Sequence, residues 1–150
     1  MEKIKHDINT FLVDAFNSLM QIEENYLQKG AFRNISVKEM HLIDAVVKLK
    51  ENNIAKQIAK ELNITQSSLT TAVNTLEKKG MLVRKPDEKD RRIVKICVTE
   101  KAREAYELHK KFHQELVDTV VNELTERELN AFVDGLNKVR YFFADKKNGK

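Results

Sequence analysis

The stretch ELHKKFH at residues 107–113 places two of the chain's four histidines, His109 and His113, four positions apart. On a helix this spacing projects both imidazoles from one face. Such a pair suits three roles: ligands of a metal ion, polar groups in the wall of a ligand pocket, or ordinary residues beside a core stripe. The surrounding elements decide among them.

The composition predicts one soluble, mainly helical domain. The 150 residues fit a single domain with 41% hydrophobic and 33% charged residues, and four Gly and one Pro are few for an all-β protein. No apolar run is long enough for a membrane span, and the first residues lack the core of a signal peptide. One cysteine, Cys97, fits a reducing compartment. We therefore expect a cytoplasmic protein.

The positive charge is concentrated in the middle of the chain. Residues 52–95 hold ten Lys/Arg and five Asp/Glu, a net of +5, whereas the other 106 residues carry −1. A basic segment between near-neutral ends indicates local contact with a polyanion. Chance clustering on a solvated face is the alternative.

Apolar periodicity and capping residues predict six helices. They span about residues 4–27, 36–49, 54–62, 65–79, 99–124 and 125–146. The expected N-caps are Ser36, Asn53, Thr65, Thr99 and Thr125, and SVKE and TERE are capping boxes. Gly80 is expected to end the fourth helix in a left-handed conformation.

After Gly80 the apolar period becomes two, which predicts a β-hairpin. MLVRK and RIVKICV flank the charged tip PDEKD. One face of the second strand is expected to point to the core and the other outward. The expected core residues are Val94, Ile96 and Val98, with Ile93, Lys95 and Cys97 on the other face.

Two short helices, a tight turn and a charged hairpin together predict a winged helix-turn-helix. Small polar side chains on the second helix can meet phosphates and base edges in a DNA groove, and long cations on the hairpin can meet phosphates. The predicted DNA-binding residues on this helix are Thr65, Gln66, Ser67, Ser68, Thr70, Thr71, Asn74 and Lys78. On the hairpin they are Arg84, Lys85, Lys89, Arg91 and Arg92.

The segment IAKELNITQSSLTTAVNTLEKKGMLVRKPDEKDRRIVKICVTEKA resembles the winged-helix core of MarR-type transcriptional regulators. Their D-x-R wing signature falls on Asp90 and Arg92, and the usual Leu before Thr99 is Val98. The resemblance implies that residues 65–79 form the recognition helix, that Arg92 enters the minor groove and that Asp90 orients the wing. It also implies one domain over 1–150, with dimerisation segments 1–30 and 125–146, a DNA-binding core 36–98 and a linking helix 99–124.

The resemblance further implies a homodimer built from the first and last helices. Both ends of the chain carry more apolar side chains than a small winged-helix domain can cover. These are Phe11, Phe16, Leu19, Val139, Tyr141, Phe142 and Phe143. A two-fold dimer requires a near-palindromic operator with half-sites about 34–36 Å apart. The alternative is that these residues pack within one subunit.

Outside the core, QIEENYL, FRNISVKEMHLIDAV and LHKKFH resemble the fatty-acid-biosynthesis repressors of Gram-positive bacteria, a MarR branch that responds to acyl chains on acyl carrier protein. This resemblance implies acyl carrier protein as a partner, an acyl chain as effector, and an apolar pocket between the first and fifth helices. The expected pocket residues are Phe11, Ala15, Phe16, His41, Leu108, His109, Phe112 and His113. No cofactor or metal is required.

The zinc-uptake repressors, another MarR branch, offer a rival interpretation. Their ligands are an acidic residue in the first helix, a histidine in the second and a histidine pair in the fifth. By this resemblance the ligands would be Glu24, His41, His109 and His113. A carboxylate and three imidazoles can complete tetrahedral zinc.

Two further classes of function fit the sequence less well. A peroxide sensor of this family has a reactive cysteine in the first helix, whereas Cys97 lies in the predicted hairpin. An enzyme is not expected, because no phosphate-binding glycine loop, nucleophile elbow or cysteine pair is present. A metal-dependent hydrolase built on the His/Glu residues is the remote alternative.

Overall fold

The computed structural model describes the backbone of residues 1–29 and 31–147, and the side chains of 1–29 and 31–141. Within these ranges the elements are α1 (Glu2–Lys29), α2 (Val37–Leu49), α3 (Ala55–Leu62), α4 (Gln66–Lys78), β1 (Leu82–Pro86), β2 (Val94–Val98), α5 (Glu100–Glu123) and α6 (Glu126–Lys147), with a short 3₁₀ turn at Lys50–Asn52. The chain forms two compact units, residues 1–110 and 111–150. This is the mainly helical, winged helix-turn-helix architecture predicted from the sequence.

The core of the first unit joins the helix-turn-helix to α2, the hairpin and the start of α5. Apolar residues at helical spacing on α2 and α4 point inward, as their periodicity predicts. The fully buried large side chains include Met40, Leu42, Ile43, Ile58, Leu69, Val73, Leu76 and Met81. Burial of each is worth about 1.5–3 kcal/mol relative to exposure, so this cluster fixes the position of α4.

Most of the predicted helix caps are present. Ser36 and Glu39 form the capping box of α2, and Thr65 Oγ1 accepts from the backbone N of Ser68 at the start of α4. The predicted cap at Asn53 is wrong, because Ile54 is the N-cap of α3 and has no capping side chain. Asn53 is buried and donates instead to the carbonyl O of Ile96 at 2.8 Å, since the hairpin packs against it.

The hairpin is an antiparallel pair in which Leu82 lies opposite Val98 and Pro86 opposite Val94. Ile96 is buried and Val98 is half-buried, as predicted for the core face. The prediction for Val94 is wrong, because its side chain is 50% exposed. Val94 pairs at the outer end of the ladder, where the hairpin extends past the core.

Gly80 has φ +71°, the left-handed conformation predicted for the end of α4. Its N–H donates to the carbonyl O of Glu77, and the N–H of Met81 donates to that of Leu76. Thr99 then joins the hairpin to α5: its hydroxyl donates to the carbonyl O of Gly80 at 2.8 Å and accepts from the N of Ala102. These bonds fix the direction in which β1 leaves α4.

The long helix α1 exposes a row of apolar side chains. They are Ile4, Ile8, Phe11, Leu12, Val13, Phe16, Leu19, Met20 and Ile22. In the second unit, α6 exposes Phe132, Val133, Leu136, Val139 and Tyr141 and begins with the predicted capping box of Thr125 and Glu128. The side chains of Phe142 and Phe143 lie outside the described residues. Among the described helices, none is long and apolar enough to cross a membrane.

Candidate nucleic-acid interface and buried histidine cluster

The outward face of α4 carries every polar residue predicted for it. Asn63 adopts a left-handed conformation, with φ 54°, and turns the chain from α3 into α4. Since Leu69, Val73 and Leu76 are buried, the opposite face of α4 is exposed. The exposed residues are Thr65, Gln66, Ser67, Ser68, Thr70, Thr71, Asn74 and Lys78.

Two threonines of this face, Thr70 and Thr71, donate their hydroxyl hydrogens to backbone carbonyls of the preceding helical turn. Thr70 Oγ1 donates to the carbonyl O of Gln66 at 2.9 Å, and Thr71 Oγ1 donates to that of Ser67 at 3.3 Å. Each hydroxyl oxygen can therefore only accept from an outside partner, and each methyl is available for apolar contact. Both properties suit the edges of bases in a major groove.

Arg84 on β1, which the sequence predicts as a DNA contact, is bound to α4, and its side chain is 35% exposed. Its Nη1 donates to Oε2 of Glu77, and its Nη2 donates to Oδ1 of Asn74 at 3.0 Å. Its backbone N also donates to Oε1 of Glu77 at 3.1 Å. The guanidinium therefore links the hairpin to α4.

Arg92 extends from the hairpin tip, and its side chain is 91% exposed. Its guanidinium is held by Asp90 through Nε to Oδ1 at 3.0 Å and Nη2 to Oδ2 at 2.9 Å. The paired charges raise the pKa of Arg92 and lower the pKa of Asp90, so both stay ionised. The geometry supports the orienting role predicted for Asp90.

Asp87 organises the turn that presents this pair, a role that no motif in the sequence predicts. Its Oδ2 accepts from the backbone N of Lys89 and of Asp90, both at 3.0 Å, and its Oδ1 lies 2.7 Å from Nζ of Lys95. The bond from Lys95, followed by the backbone bonds, lowers the pKa of Asp87 to about 2. The cations predicted along the wing, Lys85, Lys89 and Arg91, are exposed around this turn.

The comparisons with known proteins agree with this geometry. Residues 38–94, which span α2 to the start of β2, match the model of the MarR family. FabT of Streptococcus pneumoniae, whose crystal structure is a complex with DNA, is 37% identical with a TM-score of 0.85, over 94% of this chain and 98% of that chain. The chain belongs to the MarR family. It is a DNA-binding transcriptional regulator.

Two curated relatives are also similar to this MarR-family chain. The HTH-type transcriptional regulator YwhA of Bacillus subtilis is 37% identical over 78 residues, which are 52% of this chain and only 56% of YwhA. Transcriptional regulator AdcR of Streptococcus pneumoniae is 28% identical over 116 residues, 73% of this chain and 74% of AdcR. The family and these relatives confirm the prediction of a regulator rather than an enzyme.

A buried ionic cluster joins α1, α2 and α5 in the first unit. Nε2 of His109 lies 2.6 Å from Oε1 of Glu23, and its Nδ1 lies 3.3 Å from Oδ2 of Asp44. The half-exposed His41 contacts the same Glu23 oxygen through Nε2 at 3.2 Å. Burial opposes charge on His109, but the carboxylates of Asp44 and Glu23 outweigh it, so the pKa of His109 is raised above 6.5.

The carboxylate beside these histidines is Glu23 and not the predicted Glu24. Glu24 is exposed and accepts from Nε2 of Gln28 at 3.3 Å, because one residue turns a helical side chain by about 100°. His113 follows His109 by four residues on α5 and belongs to the second unit. The centroid of its ring lies 5.2 Å from that of Phe112, and the two rings meet edge-on.

The residues predicted for an acyl pocket differ in burial. Phe112 is buried, Leu108 packs against the core and Ala15 is half-buried. Phe11 and Phe16 are 57% and 65% exposed, which does not fit a pocket lining within a single chain. Both belong to the exposed apolar row of α1.

Proposed function

We propose that this protein is a homodimeric repressor that binds a near-palindromic operator and controls fatty-acid-biosynthesis genes. In this proposal each α4 lies in a major groove and each hairpin tip reaches an adjacent minor groove. The exposed polar face of α4 opposite its buried Leu69, Val73 and Leu76 is the observation that supports this docking. The 91% exposed Arg92, held by Asp90, supports the wing contact.

The dimer is supported by two apolar helix faces. The row from Ile4 to Ile22 on α1 and the row from Phe132 to Tyr141 on α6 are both exposed in the single chain. Apolar faces of this extent are typical of surfaces that associate. A second copy of the chain is the occupant that the proposal assigns to them, which fits a two-fold operator.

An acyl chain presented by acyl carrier protein is the proposed effector. The likeness to FabT extends over nearly the whole chain, including the segments outside the winged helix on which the acyl interpretation depends. His109 supports it as well, because both of its ring nitrogens already have carboxylate partners. It can serve as a structural residue of the effector region without a metal. Phe11 and Phe16, exposed in one chain, would contact the acyl tail only in the assembled dimer.

Zinc is the second candidate effector, and one observation favours it. Around tetrahedral zinc, ligand atoms at 2.0–2.1 Å from the metal lie about 3.3 Å apart. Oε1 of Glu23 and Nε2 of His41 are 3.2 Å apart, a separation that suits both a hydrogen bond and two ligands of one zinc ion. The Glu23–His109 distance of 2.6 Å is instead that of a hydrogen bond, so zinc would have to displace a proton there. Asp44 would then orient the metal-bound His109 through Nδ1.

One titration series separates the two effectors. Operator affinity of the purified dimer is measured with acyl carrier protein loaded with a long acyl chain, with unloaded carrier, with zinc and with a chelator. The acyl proposal expects a change with the loaded carrier alone. A change produced by equimolar zinc and reversed by the chelator, with none from loaded carrier, would replace acyl control by zinc control. Only an effector that binds two conformations unequally can shift DNA affinity.

A further inference from the structure

The side chain of Asn74 is anchored through its oxygen. Nη2 of Arg84 lies 3.0 Å from Oδ1 of Asn74. Because a guanidinium has donors and no acceptor, the amide must present its oxygen, and not its nitrogen, to Arg84. The two hydrogens of Nδ2 are left for a partner outside, and Asn74 is exposed on the outward face of α4.

Arg84 is itself held in place. The carboxylate of Glu77 accepts from the backbone N of Arg84 at 3.1 Å and also from its Nη1. The side chains of Arg84 and Glu77 are 35% and 28% exposed, so water competes only partly for this ion pair. The planar guanidinium binds Glu77 through Nη1 and Asn74 through Nη2, and this holds the Asn74 amide in one orientation.

Asn74 lies where a base edge is expected. It follows Thr70 by four residues and Ser67 by seven, a spacing that places all three on one face of α4. This inference rests on the proposed placement of that face in the major groove.

The bond to Arg84 changes what Asn74 can recognise. An unrestrained asparagine pairs with adenine by accepting from N6 while donating to N7. Arg84 occupies one of the two lone pairs of Oδ1, and its cationic group of donors lies beside that oxygen, which disfavours the approach of a further donor such as N6 of adenine. Guanine offers two adjacent acceptors in the major groove, N7 and O6, and no donor.

We propose that Asn74 reads a guanine in each half-site, and that Arg84 is a positioning residue that sets this preference by withholding the amide oxygen from adenine. Arg84 thus contributes to base choice without touching the base. The proposal gives β1 a role in specificity, because the strand carries the residue that orients a side chain of the recognition helix.

The test measures base preference separately from affinity. Operators for the wild-type full-length protein are selected from random duplexes, and each base pair is then varied in turn. Arg84→Met should lower the guanine-to-adenine preference about tenfold at one position per half-site, leaving other positions unchanged. Asn74→Ala should lose the preference at that same position. Replacing that guanine by 7-deazaguanine should weaken binding of wild type but not of Asn74→Ala.

Lys85→Met is the matched control, since Lys85 is the next residue of β1, is exposed and carries the same charge. It should weaken binding to all sequences equally. Glu77→Gln keeps the size of the side chain but removes the charge that holds Arg84. It should lower the guanine-to-adenine preference at the same position, as Arg84→Met does.

The outcomes distinguish this inference from the docking on which it rests. If Arg84→Met and Asn74→Ala leave every base preference intact while Ser68→Ala changes one, the guanine assignment is wrong and the docking of α4 stands. If no substitution on α4 alters any base preference, both are wrong. A wild-type preference for adenine at the Asn74 position would also overturn the inference.

Discussion

Nε2 of His109 lies 2.6 Å from Oε1 of Glu23, although 86 positions separate the two residues in the chain. The contact joins α5 to α1, and the bond from Nδ1 of His109 to Asp44 adds α2. Two carboxylates around one buried imidazole favour its charged form. Each N–H of the protonated imidazole has one carboxylate acceptor, Glu23 for Nε2 and Asp44 for Nδ1.

The first prediction concerns the pH dependence of stability. The pKa of His109 is raised above 6.5 in the folded protein, so folding favours the protonated imidazole. Its contribution is fully present below about pH 6.5 and is lost as pH rises through the higher folded pKa. We expect the free energy of unfolding, measured with urea from pH 5.5 to 9, to fall across that interval. His109→Gln should flatten the decline.

His6→Gln is the control for this experiment, because His6 is exposed on α1 and outside the cluster. It should leave the pH profile of the wild type unchanged. A profile of His109→Gln that retained the full wild-type decline would show that another group is responsible.

The location of this cluster could be predicted from the sequence only in part. The i,i+4 spacing points to His109, and the resemblance carried by EMH points to His41. The prediction of Glu24 as the carboxylate is wrong by one residue, because a stripe that stays exposed along most of α1 does not determine which neighbouring residue faces the core. Asp44 follows His41 by three residues on α2, a spacing that could have pointed to it.

The exposed polar face of α4 was predicted more completely, for a physical reason. Strong apolar periodicity on α4 fixes which side is buried, so the exposed side follows by elimination. The roles of single residues did not follow, because the contact of Arg84 with Glu77 and Asn74 depends on how β1 packs beside α4. Sequence spacing alone does not set that tertiary geometry.

The second prediction concerns the wing. Arg92→Ala should weaken operator binding and reduce the slope of log affinity against log salt by about 1 per protomer, because one cation leaves the minor groove and its flanking phosphates. The fold should be unaffected, since this side chain is exposed and contacts only Asp90 among the described partners. Fluorescence anisotropy at several salt concentrations measures both quantities. An unchanged slope and affinity would exclude the wing contact.

The third prediction concerns assembly. Phe16→Asp places a charge in the exposed apolar row of α1, and Leu136→Asp does the same on α6. If these rows meet a second copy, each substitution should shift the protein from dimer to monomer in sedimentation experiments and abolish binding to a palindrome. Lys111→Asp, on an exposed position of α5, is the control and should remain dimeric. Dimers of both test variants would place the interface elsewhere.

The last prediction separates the two acidic partners of Lys95. Asp87 accepts two backbone bonds in the wing turn as well as the bond from Lys95, whereas Glu51 bonds only the lysine among the described contacts, from a side chain that is 96% exposed. Asp87→Asn should therefore misplace the tip and lower operator affinity, while Glu51→Gln should have little effect. Since the pKa of Asp87 is lowered to about 2, its contribution to the wing should persist across pH 5–9 and be lost only as pH falls towards that value. Anisotropy titrations of both variants at pH 5, 7 and 9 measure this. Equal losses in the two variants would assign the effect to Lys95 and not to the turn.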